Sequence, residues 1–132
     1  MSEEIEQKEL YAQEGDTHYY LAWFSNNEIH VQKSWRPVAG ASNAYGITIY
    51  YYAGKKRAKA EVEYWTNGWA TFGLPMQGSE IAKVSYTSIE QFNEIYNEAK
   101  QIFDEEDSIE REAKTVEIVN KVFDLFDEGE EE

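Results

Sequence analysis

Cysteine is absent from all 132 residues. Its absence excludes a disulfide framework, a thiolate metal site and a cysteine nucleophile together. Histidine is nearly absent: His18 and His30 both stand in strand-like stretches with no nucleophile or carboxylate at a diagnostic spacing, so they read as ordinary strand residues. Glycine-rich phosphate loops are missing too. Gly40 and Gly46 frame no Gly-Lys-Ser/Thr, and Gly54-Lys55 belongs to a turn that opens no helix. The acid run Asp104 to Asp107 lacks the spaced oxygen ligands and central glycine of a calcium loop. A non-enzymatic protein without metal or cofactor is therefore expected. No apolar run approaches a membrane span, and Met1-Ser-Glu-Glu-Ile-Glu has neither the cationic region nor the apolar core of a signal peptide. Those two features lead to the expectation of a cytoplasmic protein.

One further absence is local. The chain carries a net charge of −14, yet no Asp or Glu occurs between Glu28 and Glu61. That window holds Lys33, Arg36, Lys55, Lys56, Arg57 and Lys59, a local charge of +6. From Ser79 onward there are 17 acidic and five basic residues, so nearly all of the excess negative charge belongs to the C-terminal part. Phosphate backbones repel a uniformly acidic surface, but this distribution leaves a cationic region free to meet one.

Aromatics are what the sequence has in excess: four Trp, ten Tyr and six Phe make up 15% of it. His18 to Ser25 and Glu28 to Trp35 read as a hairpin around Asn26-Asn27. Residues 36–44 read as a loop, and the first dozen residues as a frayed arm or short helix. Gly46 to Ala53 and Ala58 to Trp65 form a second hairpin across Gly54-Lys55-Lys56-Arg57, with a third turn expected at Thr66-Asn67-Gly68 and a strand from Trp69 to Leu74 ended by Pro75. Alternation places Ile47, Ile49 and Tyr51 on a core face, and Tyr50, Tyr52, Lys59 and Trp65 on the outer one. From Ser88, an N-cap with Gln91 completing a capping box, the period becomes helical. A second helix runs from Ile109 to about Asp127. The fold class expected is α+β: an antiparallel sheet of about five strands in hairpins followed by two C-terminal α-helices. Residues 1–107 are read as the binding domain, and residues 108–132 as a C-terminal helix with an acidic tail.

Proteins that hold single strands combine a cationic groove with aromatic platforms, and need no strict spacing. Candidate platforms are Trp35, Tyr45, Tyr50, Tyr52, Trp65 and Trp69; candidate phosphate contacts are Lys33, Arg36, Lys55, Lys56, Arg57 and Lys59. The function expected is binding of single-stranded DNA or RNA, DNA foremost, with little sequence preference. In the last helix Ile109, Val116 and Phe123 recur every seven residues, with Val119 and Phe126 at the matching positions, so the segment reads either as a short homodimerisation zipper or as an amphipathic helix packed in its own domain. This layout, GITIYYYAGKKRAKAEVEYW as binding sheet and SIEREAKTVEIVNKVFDLF as zipper, resembles the archaeal ThermoDBP-type single-stranded DNA-binding proteins. The resemblance implies a small mixed α/β binding domain joined to a helical dimerisation segment. The alternative from another class is an acidic nucleic-acid mimic, of the phage anti-restriction or anti-CRISPR kind, that would occupy a partner's basic cleft.

Overall fold

Alternation of apolar residues, as at Ile29 and Val31 or Ile49 and Tyr51, gives the sheet one core face. In the computed structural model, which describes residues 5–35, 44–69, 75–104 and 110–127, six strands follow one another as an antiparallel meander in the order β1 to β6. They are β1 (Gln7–Glu14), β2 (Thr17–Phe24), β3 (Glu28–Trp35), β4 (Ala44–Ala53), β5 (Ala58–Trp69) and β6 (Pro75–Thr87). Two helices follow, α1 (Ile89–Asp104) and α2 (Arg111–Asp127). The α+β expectation holds, with one strand more than anticipated.

The turns follow local chemistry. Gly15, between β1 and β2, has φ +61°, and Asn27, ending the β2–β3 turn, has φ +66°. Both lie in the left-handed region that glycine and asparagine tolerate best. The arm or helix expected at the N-terminus is instead the edge strand β1, because Leu10 and Ala12 alternate onto the core face and pair with β2. The turn expected at Thr66-Asn67-Gly68 does not form, since β5 continues to Trp69 in register with β6. Pro75 opens β6 where it was expected to end a strand, a position that needs no ladder donor from it. Residues 70–74, the rest of that expected strand, lie outside the described residues, as do most of the expected 36–44 loop, the 105–109 junction and the tail.

Both helices cover one face of the sheet. α1 starts where Ser88 Oγ accepts the Gln91 amide at 3.1 Å, as the capping pattern predicted. Its buried stripe includes Phe92, Ile95, Tyr96 and Ala99. Tyr51 lies at the centre, fully buried, edge-on to Phe92 at 4.9 Å and to Phe126 of α2 at 5.1 Å. Its hydroxyl shares a 2.6 Å hydrogen bond with Thr87 Oγ1. Tyr96 stacks on Trp23 and donates to the Phe24 carbonyl at 2.7 Å, tying α1 to β2. α2 lies over β1, β2 and β3, with Val119, Val122, Phe123 and Phe126 buried in the same core. Side chains from both sides of residue 107 therefore share one core. Among the described residues no helix is long and apolar enough to cross a membrane.

Candidate binding face

Among the described residues no helix covers the opposite face of the sheet, and register maps it residue by residue. Its first row, nearest the β2–β3 and β4–β5 turns, reads Gln7, Phe24, Glu28, Tyr52, Lys59, Tyr86 from β1 to β6. The second reads Glu9, Ala22, His30, Tyr50, Glu61, Val84, and the third holds Tyr11, Tyr20, Gln32, Thr48 and Glu63. Aromatic rings thus occur in every row. Tyr11 is 70% exposed and Tyr86 48%. Phe24, His30 and Tyr50 form a chain of ring contacts at 4.6 and 4.7 Å, while Tyr11 and Tyr20 meet at 5.0 Å.

Between the rings stand acceptors. Tyr50 donates its hydroxyl to Glu63, and Tyr52 donates to Glu61 Oε2 at 3.1 Å. His30 Nε2 meets Glu28 at 2.7 Å, and Thr48 donates to Gln32 at 3.0 Å. Partial burial, reinforced by the hydrogen bond to Glu63 and the charges of Glu63 and Glu61, pushes the Tyr50 hydroxyl up to about 12. Burial also raises Tyr20, with Glu9 adding to the effect, and raises Tyr52, with Glu61 adding to it. All three are neutral at physiological pH and so can donate to the carboxylates beside them.

Cations gather at one corner. Lys55, Lys56 and Arg57 are exposed in the β4–β5 turn, which Gly54 closes by donating its amide to the Arg57 carbonyl at 2.8 Å. A Cβ on Gly54 would sit 2.8 Å from that same oxygen, so the turn requires glycine. Arg57 lies over the Tyr86 ring at 3.9 Å, a cation–π contact that fixes the guanidinium at the edge of the face. Lys59 follows on β5, between Tyr52 and Tyr86 in the first row, 3.4 Å from Glu61.

The candidates proposed from sequence divide accordingly. Tyr50, Tyr52, Lys55, Lys56, Arg57 and Lys59 come together on or beside the open face. Lys33 and Trp35 share the opposite parity of β3, that of the buried Ile29 and Val31; Lys33 Nζ lies 4.8 Å from the centre of the Phe123 ring of α2 and so does not join the others. Arg36 lies outside the described residues, as do the side chains of Tyr45, Trp65 and Trp69. Sequence reasoning missed Tyr11, Tyr20, Phe24 and Tyr86. Their alternation with buried neighbours could have found the first three; Tyr86 required recognition of β6.

The zipper candidates also have definite places. Val119, Phe123 and Phe126 are buried against the sheet of their own chain, Val116 packs at the edge of that core, and Ile109 lies outside the described residues. Self-association through α2 would need a face other than this covered seam. Neither a family model, nor a curated protein, nor a solved structure matches the chain.

Proposed function

We propose that this chain is a non-enzymatic, cytoplasmic protein that binds single-stranded nucleic acid, DNA foremost, across the open face of its sheet. The observation that carries this reading is the corner where Tyr52, Lys59, Tyr86 and Arg57 adjoin the Lys55-Lys56 turn. Rings and cations are interleaved there at the spacing of neighbouring strands, about 5 Å, so one base can stack while its phosphates meet the turn. The acidic helix surfaces do not oppose this at working salt. They lie on the far side of the sheet, and surface charges are screened over about 10 Å at 0.1 M.

The test is anisotropy of a labelled deoxyoligonucleotide of about ten residues, titrated with the full chain at 50 and 200 mM salt. Binding that weakens with salt supports the proposal, and absence of binding at 50 mM refutes it. One observation favours the nucleic-acid mimic: Glu90, Glu94 and Glu98 recur every four residues along α1, about 6 Å apart along its axis. Against it, Glu98 is already paired with Lys121 at 2.9 Å, and the basic corner has no role in a mimic. A chain that ignores the oligonucleotide but competes with it for a cationic protein would favour the mimic.

A further inference from the structure

Carboxylates inside a single-strand site are an objection to it unless they act on the bases. The four described on the open face, Glu9, Glu28, Glu61 and Glu63, equal in number the cations at its corner, Lys55, Lys56, Arg57 and Lys59. Two of them stand beside the platforms: Glu61 takes the Tyr52 hydroxyl at 3.1 Å, and Glu63 takes that of Tyr50. Each carboxylate is held at the hydroxyl end of its ring, within reach of the edge of a base that stacks with its donors turned that way. Glu61 keeps 29% of its side chain exposed there.

We propose that Glu61 and Glu63 read the donor edge of stacked bases, making the face selective for guanine over thymine or uracil. This rests on the single-strand reading above and narrows its substrate class. An ionised carboxylate only accepts, and with about four lone-pair sites it keeps capacity beyond one tyrosine hydroxyl. Guanine presents N1–H and the N2 amino group side by side, two donors that match the two oxygens of a carboxylate. Cytosine and adenine offer one amino group each. Thymine and uracil present a single N–H between two carbonyl oxygens, whose lone pairs face the carboxylate. Stacking is tolerant of base identity, so the acceptors are what discriminates. Lys59, 3.4 Å from Glu61, and the fixed tyrosine hydroxyls hold the acceptors in place before a base arrives.

The test compares three eight-residue oligonucleotides by anisotropy with the full chain: all thymine, the same with three guanines, and the same with three inosines, which lack the N2 amino group. The guanine strand is expected to bind tighter than the thymine strand by roughly 5- to 150-fold, the span of one good bidentate contact, with inosine between them. In the double variant Glu61→Gln, Glu63→Gln the preference should collapse while the thymine strand binds more tightly than it does to the parent, because two negative charges have left the face. Equal binding of all three strands by the parent overturns the selectivity and leaves single-strand binding standing. Binding of none refutes both. A preference that survives in the double variant shows that other groups read the base and overturns the assignment.

Discussion

Replacing Lys55, Lys56 and Arg57 together by alanine should flatten the salt dependence of oligonucleotide binding. The corner presents four cations, the three of the turn and Lys59. Single-stranded nucleic acid releases about 0.7 counterion per neutralised phosphate, so four contacts give a log–log slope of about −2.8 and the single remaining one about −0.7. Between 50 and 200 mM salt the parent should then lose about 50-fold in affinity and the variant only about 3-fold. All three side chains are exposed in a turn held by the backbone bond between Gly54 and Arg57, so the substitutions leave the fold intact, which the unfolding midpoint verifies. Anisotropy at five salt concentrations measures both slopes. Parallel lines for parent and variant would refute the phosphate role of the turn, however the absolute affinities compare.

Other expectations follow from the same geometry. Tyr51→Phe removes a hydroxyl bonded to Thr87 at 2.6 Å in the core, leaves the Thr87 hydroxyl without that partner, and should lower unfolding stability by about 1–2 kcal/mol in urea. Because Tyr50 has its hydroxyl pushed up to about 12 from an ordinary 10, the folded state holds that proton more tightly than the unfolded chain does. Its stabilising contribution is complete below pH 10 and is lost as pH rises from 10 to 12. Absorbance of tyrosinate should show this group titrating late, and Glu63→Gln should bring it down; no change in that variant would refute the pairing. Ser88→Ala removes the acceptor for the Gln91 amide and should destabilise by about 1 kcal/mol, read by thermal unfolding.

How far the sequence speaks for the structure depends on where alternation is clean. β4 and β5 read correctly because Ile47, Ile49 and Tyr51, and Ala58, Ala60 and Val62, alternate without interruption with polar or aromatic neighbours. β1 did not, because its core face is only Lys8, Leu10 and Ala12, and its remaining residues are as common in helices. β6 escaped for a different reason. A bulge opposite Val62 and Glu63 sets Lys83 and Ile81 against consecutive partners, which breaks the period two that would reveal the strand. Asn67-Gly68 shows the reverse failure, a strong local turn signal overruled by pairing with β6. For the site, composition chose Lys33 from an acid-free window, but a strand's parity decides which face a residue reaches. Arg57 on Tyr86 joins a turn to the next strand but one, and only the sheet order makes that visible.

The placement of α2 has a consequence for how the molecule is made. As the chain emerges during synthesis, β1, β2 and β3 can pair with their neighbours as soon as each hairpin closes, since the hydrogen-bonded pairs among the described strands are all of consecutive strands. Much of their apolar side is covered by α2, about 100 residues downstream of β2, while Trp23 is met by Tyr96 of α1. At about 5–20 residues per second, ribosomes leave that surface waiting for roughly 5–20 s. A ribosome that stalls before Arg111 would release a chain lacking the Val119, Val122, Phe123 and Phe126 that α2 adds to the core.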